Sequence, residues 1–286
     1  MIANITQEVR GHRQPYVRYE RVWQDGKQIL SRPDASDQKD ELRKTQTHLE
    51  QISANAQFRA IARFFESIRY LHLVPQLFKH PDYYQGSGAA EDPYGRNFLE
   101  MIAKTPEKTR GSRLKKIETA LRYAVPQLRA LTAAKDDAGV PHLEAIYEHW
   151  RPNAGKQRED QFSDGTIRLI GLFWSLLDGD APLLLEEPEL SLHSSIVAKL
   201  PALFHKLGRR KRRQLIVSTH SWDLLSEKGI GGEEVVMLQP DANGTKALLA
   251  SSIPQIRAIL DEDLSIADAV LPRTAPEQIS LFDLAV

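Results

Sequence analysis

The sequence predicts an α/β protein: a parallel sheet flanked by helices, preceded by a helical lobe and, near the N-terminus, a β-hairpin. Three observations predict it. Leu183-Leu184-Leu185 and Leu215-Ile216-Val217 are short aliphatic runs without alternation, as in strands buried on both faces of a parallel sheet. Both runs end in polar residues, Glu186-Glu187-Pro188-Glu189 and Ser218-Thr219-His220-Ser221. Upstream, apolar residues recur at helical spacing, and ahead of them Asp25-Gly26 separates two stretches of strand character.

In chain order, residues 16–23 partly alternate, Asp25-Gly26 supplies a tight turn, and residues 27–30 return as a second strand. Residues 31–53 are charged and amide-rich, with few apolar anchors, which predicts a solvated helix or a partly disordered segment. Phe58, Ile61, Phe65 and Ile68 follow helical spacing and predict a core-facing helix ending before Pro75. Residues 80–95 read as a loop. Leu114, Ile117, Leu121 and Val125 mark another amphipathic helix, stopped by Pro126. Residues 143–150 alternate loosely, as a strand does, and lead into a polar loop. Ser163 suits an N-cap for a helix with Ile167, Ile170, Trp174 and Leu177 on one face. Leu192, Ile196, Leu200, Leu203 and Leu207 form a further helical face, with Pro201 as a kink and Gly208 as a C-cap. Residues 235–238 and 245–250 predict two strands joined by Asp241-Ala242-Asn243-Gly244, and residues 253–260 and 264–270 two helices. The resulting division is 1–55, hairpin and charged helix; 56–150, helical lobe; 151–260, sheet core; 261–286, tail.

Composition sets bounds. Basic and acidic residues number 38 each, so no global charge favours nucleic acid or membrane. There is no cysteine, which excludes disulfides, thiolate metal sites and cysteine nucleophiles. The first residues lack the apolar core of a signal peptide, and no stretch approaches the roughly 20 apolar residues of a membrane span. A cytoplasmic protein is the resulting expectation.

The chemistry concentrates in residues 161–221. In open α/β sheets, ligands bind at the carboxyl ends of the strands, where Glu186, Glu187 and His220 converge. Two adjacent carboxylates repel unless a cation or proton uses them, and a divalent metal is the usual answer. The competing structural reading is an acidic helix N-terminus, since a helix is expected from about Ser191.

The order Phe162-Ser163-Asp164-Gly165-Thr166, then Glu186-Glu187-Pro188-Glu189, Leu190-Ser191-Leu192-His193 and Thr219-His220-Ser221 resembles the second half of an ABC-type ATPase head of the SMC-like and RecF-like class. More closely, it resembles the bacterial AAA-type ATPases with a serine-aspartate-glycine-threonine signature. Tyr94-Gly95-Arg96-Asn97 is also similar to that subfamily. The resemblance implies an ABC-type P-loop NTPase-like fold that hydrolyses ATP with Mg2+. It assigns Ser163, Asp164, Gly165 and Thr166 to the nucleotide-closing signature and Glu186 to the metal. It makes Glu187 the catalytic base, Leu190, Ser191, Leu192 and His193 the D-loop, and His220 the γ-phosphate switch. Two departures qualify it. Asp164 stands where many ABC ATPases have glycine, so its carboxylate is expected to point away from phosphate or be capped. No Gly-x-x-x-x-Gly-Lys-Ser/Thr occurs: Gly155-Lys156 lacks the earlier glycine, and Gly229, Gly231 and Gly232 lack the lysine. The chain is therefore expected to be the C-terminal portion of such an ATPase, an incomplete head whose P-loop comes from a partner chain, or a truncated or split product.

Two local features extend the partner list. Arg209, Arg210, Lys211, Arg212 and Arg213 read either as a solvated connector or as a DNA-phosphate patch. Gln278, Leu281 and Phe282 resemble the short peptide by which bacterial DNA-processing proteins dock on the sliding clamp, against the alternative of a tail lying on its own domain. Two further readings stay open: a non-hydrolytic module that recruits partners through these features, and a metal-dependent hydrolase built from Glu186, Glu187, Glu189, His193 and His220.

Overall fold

Asp25 (φ +50°) and Gly26 (φ +77°) form the turn that closes the predicted hairpin, both in the left-handed region that matches strand twist. The computed structural model describes residues 2–10, 14–51, 56–81, 92–151, 155–241 and 244–275. By internal packing these fall into two units, residues 1–68 and 69–286.

In the first unit, β1 (Ile2–Arg10), β2 (Gln14–Gln24) and β3 (Lys27–Arg32) make one antiparallel sheet in sequence order, with bulges between Thr6 and Gln7 and between Val22 and Trp23. The sequence reading found the β2–β3 hairpin and missed β1. Residues 31–51 are largely solvated, as expected, but they are ordered around a buried charged cluster. The helix α1 (Ala35–Lys39) starts at an Asp34 capping box, and a 3-10 turn, Glu41–Thr45, follows. Arg32 orders them: its guanidinium donates to Asp37 (3.0 and 2.9 Å), to Glu20 (3.0 Å) and to the carbonyls of Gln46 and Arg43 (3.0 and 2.7 Å). All three charged side chains are buried. The helix α2 (Arg59–Ser67) buries Phe58 and Ala62 at its start, whereas Phe65 and Phe64 are exposed, so the aromatic stripe is not one core face.

The second unit opens with β4 (Arg69–Leu71), three residues too short to show a period. Then come α3 (Pro75–Lys79), α4 (Phe98–Lys104) and α5 (Glu107–Ala124), which buries Leu114, Ile117 and Leu121 as expected. The rest of the predicted lobe is not helical: β5 (Leu128–Lys135) and β6 (Pro141–Tyr147), the latter covering the strand expected from residue 143, form an antiparallel sheet with β7 (Lys156–Arg158), which lies beyond the lobe. β5 escaped detection because its Ala-Leu-Thr-Ala-Ala run carries helix-forming alanines and no clean alternation. The apolar α6 (Asp164–Leu177) runs to β8 (Leu183–Glu186), then α7 (Ser194–Val197), α8 (Leu200–Lys211) and β9 (Leu215–Ser218). Pro201 sits in the first turn of α8 and so divides the predicted helix in two rather than kinking it. Helix α8 passes through Gly208 and ends at Arg212, in left-handed conformation. The helix α9 (Trp222–Leu225) precedes the hairpin of β10 (Val236–Asp241) and β11 (Gly244–Leu249), whose turn includes residues outside the described set. The last helices are α10 (Pro254–Asp261) and α11 (Ile266–Thr274). The latter buries Ile266, Ala267, Ala269 and Val270, so the expected tail is folded as far as Thr274.

The predicted parallel sheet is present, in the order β4-β8-β9, with Leu71, Leu185 and Val217 in register. Helices α6 and α8 supply Leu172, Leu176, Leu200 and Phe204 to the core beneath it. Among the described residues no helix is long and apolar enough to cross a membrane. Gln278, Leu281 and Phe282 lie outside the described residues.

Candidate active site

Glu186 is the last residue of β8 and pairs in register with Ser218 at the end of β9. The ladder runs one step further, since the Glu187 N–H donates to the Ser218 carbonyl at 3.0 Å. There the chain turns sharply, with Glu187 at φ +41° and Ser191 at φ +61°. Left-handed backbone in a non-glycine residue carries strain of order 1–3 kcal/mol and collects at sites where a side chain is needed. They lie four residues apart in the segment that follows β8.

The three predicted rim residues do share one sheet edge, with different neighbours. Glu187 Oε1 lies 2.6 Å from His220 Nδ1, and the histidine is 75% exposed. Glu186 turns the other way, accepting from the Tyr70 hydroxyl, with His72 Nδ1 at 3.8 Å from its Oε1. Glu189 is buried, accepts from the Thr219 hydroxyl on one oxygen and has no protein partner on the other. The helix-dipole alternative fails on position: α7 begins only at Ser194, its cap is His193, and its first turn contains no acid. His193 is engaged locally, its Nδ1 accepting from the Ser195 N–H at 3.2 Å.

The signature turn lies close by. Ser163 caps α6, its Oγ accepting from the Thr166 N–H at 3.1 Å. Gly165 abuts the segment after the acidic run: a Cβ there would sit 2.9 Å from the Ser191 carbonyl oxygen, so glycine is required for the contact. Asp164 is turned aside as expected. Lys79 Nζ bonds it at 2.7 Å and Gln76 Nε2 at 3.2 Å, and the lysine hydrogen bond holds its carboxyl below the usual range.

Sequence reasoning missed Tyr70, His72 and Arg168. Arg168 stands one turn after Asp164 on α6. Burial lowers its pKa, opposed by the charges of Asp164, Glu187 and Glu189, and its Nε is buried without a partner. A lone arginine in an otherwise apolar helix was the available signal. Tyr94 and its neighbours, which had no assigned role, brace the sheet: the N–H groups of His72 and Val74 donate to the carbonyls of Pro93 and Tyr94, each at 2.9 Å. Two residues of the basic stretch are tied to main-chain carbonyls, while Arg209, Arg210 and Arg212 are exposed. Arg213 is buried and donates to the carbonyls of Ser175 (2.6 Å), Asp178 (3.1 Å) and Ala181, and Lys211 donates to those of Leu177 (2.6 Å) and Gly179 (2.8 Å). These two residues are therefore removed from the predicted DNA patch.

A magnesium-bound triphosphate fits one half of this arrangement. Magnesium takes one or two carboxylates and completes its shell with water and phosphate, and Glu186, half-exposed at the strand end, is the carboxylate of this rim that could serve it. Among the described residues, no group of three or more His, Asp or Glu side chains is placed to hold a metal, as the metal-hydrolase reading requires.

The family model described as "AAA domain, putative AbiEii toxin, Type IV TA system" matches residues 4–227. Similar solved structures include one from work on ATP-driven dimerization and DNA-stimulated activation of SMC ATPases (13% identity, 58% of this chain and 94% of that one, TM-score 0.39). A Pyrococcus furiosus Smc head domain with an extended coiled coil, bound to the C-terminal domain of ScpA, is 15% identical over 59% of this chain and 44% of its own, TM-score 0.39. An Smc head bound to the C-terminal winged-helix domain of ScpA is 13% identical over 80% and 63%, TM-score 0.42. No curated protein matches. With the family model spanning most of its length, the chain belongs to the family of AAA domains that this description names.

Proposed function

We propose that this chain carries the hydrolytic rim of an SMC/RecF-like ATPase head, a cytoplasmic protein that acts in DNA maintenance or defence and whose phosphate cradle comes from outside these 286 residues. The supporting observation is the 2.6 Å contact of Glu187 with His220, one residue beyond Glu186 on the rim of a parallel sheet. A carboxylate held by an imidazole has a fixed orientation and keeps its second oxygen free to accept, which a group that polarises water must do. The Glu187 main chain is fixed on Ser218, so the carboxylate direction is set from both ends. Glu186 would hold magnesium, which when bound neutralises phosphate charge. With Asp164 drawn to Lys79, the first N–H groups of α6 are left to an anion, and Ser163, Asp164, Gly165 and Thr166 close over nucleotide held by an opposed subunit. His220, half of the pair and largely exposed, faces the γ-phosphate. DNA contact, if made by the basic stretch, falls to Arg209, Arg210 and Arg212.

The test mixes the full chain with a P-loop-bearing fragment of another family member. Glu187→Gln is expected to cut phosphate release by about 100-fold or more, the usual scale for loss of a general base, while bound ATP is retained. Phosphate release unchanged by Glu187→Gln would remove the assignment. The second reading, a non-hydrolytic module, is favoured by the absence of a P-loop pattern from the sequence, and it predicts no retained ATP in the same mixture.

A further inference from the structure

Helices α4 and α5 meet at Thr105 and Pro106, and between them and the end of α6 opens a cavity of about 590 Å³. It lies at the other end of the sheet from the rim, since Asp178, which lines it, precedes β8, and Glu186 closes that strand. All its lining residues belong to the second unit. The volume is that of a small-molecule site.

Three carboxylates line the cavity, and each is already engaged. Asp178 accepts from Arg69 on Oδ2 and from Arg113 on Oδ1, the latter at 2.8 Å. Asp92 accepts from the N–H groups of Tyr94 (3.1 Å) and Asn97 (2.7 Å), one on each oxygen. Glu100 is held by Lys104 at 2.8 Å on the exposed lip. Donors are left over. Among the described residues, Nε and Nη2 of Arg113, the Thr109 hydroxyl and the Asn97 carboxamide have no protein partner. Charge points the same way, because two guanidiniums on the single Asp178 carboxylate leave one positive charge over. Lys211 and Arg213, bonded to carbonyls, stand in the same field, with Asp178 and Asp180 as the opposing carboxylates. Four cations thus face two carboxylates.

Arg113 is also held still. Its guanidinium lies 5.2 Å from the centroid of the buried Trp174 ring, and its side chain is 18% exposed. As a strut between α5 and the end of α6 it needs only the Asp178 contact, which leaves the Nε–Nη2 edge unused. Thr109, one turn earlier, shares its face of α5. Phe98, Met101 and Pro106 supply an apolar wall.

We infer that this cavity binds a small organic anion, a carboxylate or phosphate ester on an apolar body. Its oxyanion takes the free edge of Arg113 and the Thr109 hydroxyl, and its body lies against Phe98, Met101 and Pro106. A planar guanidinium edge matches both oxyanions bidentately, and one fixed in advance loses little freedom on binding. The site is separate from the rim, and its test needs no P-loop.

The experiment measures binding of benzoate and of phenyl phosphate to the full chain by equilibrium dialysis, with benzyl alcohol and inorganic phosphate as controls. Amide hydrogen exchange locates the site. At least one of the two organic anions is expected to bind once per chain with a Kd of about 1 mM or tighter, a fair limit for about ten heavy atoms. Exchange should slow within residues 97–113, and both controls should bind at least tenfold more weakly. A tenfold preference between the two organic anions assigns the oxyanion as carboxylate or phosphate ester. Arg113→Met should weaken binding at least tenfold. Should that variant fold poorly, Thr109→Trp decides: residue 109 is exposed on the lip, so an indole there fills the cavity and should abolish binding with the melting temperature unchanged. Benzyl alcohol binding as tightly as the organic anions, or inorganic phosphate as tightly as phenyl phosphate, overturns the inference. So does unaltered binding by Thr109→Trp, protection that falls elsewhere in the chain, or the absence of saturable binding.

Discussion

Glu20 and Asp37 in the first unit, and Glu187 and Glu189 in the second, are both sets of carboxylates near a single arginine. They differ in how completely that arginine answers them. Arg32 places all five of its N–H donors: three on the carboxylates and two on main-chain carbonyls. Glu20 also accepts from the His48 N–H, at 3.0 and 3.1 Å. No N–H donor of Arg32 is left over to offer a ligand. Arg168 has a buried Nε with no partner, Glu189 has a free buried oxygen, and Glu186 and Glu187 lean outward on a tyrosine and histidines. The first arrangement folds a segment; the second keeps capacity in reserve at a strand rim. Composition does not separate them, but hydrogen-bond closure does.

The largest expected effect breaks the closed cluster. Arg32→Leu leaves Glu20 and Asp37 buried without their counter-charge, and removing one partner of a buried pair costs about 3–5 kcal/mol. Urea unfolding should register this as a lowered midpoint. Replacing Arg32, Glu20 and Asp37 together by apolar residues of similar volume should recover most of it. A loss as large in the triple variant would mean that the cluster stabilises by more than mutual compensation.

The basic stretch repeats the comparison on a smaller scale. Arg213→Ala orphans the carbonyls of Ser175, Asp178 and Ala181 and should cost about 2–4 kcal/mol, the scale of several charge-assisted hydrogen bonds lost from a buried site. The exposed Arg210→Ala should stay within about 0.5 kcal/mol. For the DNA contact proposed for Arg209, Arg210 and Arg212 the order reverses: Arg210→Ala is expected to weaken retention at low salt and Arg213→Ala, while folded, is not.

Acid and base should act on different regions. Burial alone would raise the Asp37 carboxyl, but hydrogen bonds from Arg32 and the Asp34 N–H, with the Arg32 and Arg43 charges, bring it down to about 2. A depressed carboxyl stabilises above its unfolded value, so this contribution, about 2–3 kcal/mol, disappears as the pH falls from about 4 through 2. His142 behaves oppositely. Burial pulls it down, yet Glu159 at 2.7 Å and Asp136 at 3.4 Å raise it overall. Its stabilisation is complete below the unfolded histidine value and is lost as the pH rises through the raised one. Since Glu159 also accepts from the Leu143 N–H at 2.8 Å, that loss loosens β6 from the turn just ahead of Phe162. Hydrogen exchange against pH should show the first unit opening as Asp37 protonates in acid and β6 opening as the pH rises through the raised His142 value.

Much of the second unit was legible because its signals are local and apolar: the two aliphatic strands, the α5 face, the Ser163 cap and the rim residues all lie where short-range patterns place them. What was not legible depends on partners distant in sequence. β4 is three residues long and is defined only by its pairing with β8, and Tyr70 and His72 enter the site through that pairing alone. Arg213 looked like surface charge because its carbonyl partners are more than thirty residues upstream. Residues 31–53 looked solvated for a different reason: most of the described ones are, and the buried ones include a charged pair, Arg32 and Asp37, whose mutual pairing composition does not reveal.

The smallest expected effect bears most directly on whether the open cluster is functional. Glu187 holds a backbone conformation, φ +41°, that glycine adopts without strain. Its ion pair with His220 is solvent-exposed on the histidine side, and such pairs contribute only about 0–1 kcal/mol. Glu187→Gly therefore exchanges a weak contact for relief of a strained residue. It should leave stability unchanged or raise it by up to about 1 kcal/mol, whereas the buried substitutions above all lower it. A residue whose removal stabilises the fold is kept for something other than folding. If Glu187→Gly lowered stability by 2 kcal/mol or more in urea unfolding, the carboxylate would be a structural member of the rim, and the contrast between closed and open clusters would fail at the residue on which the catalytic assignment depends.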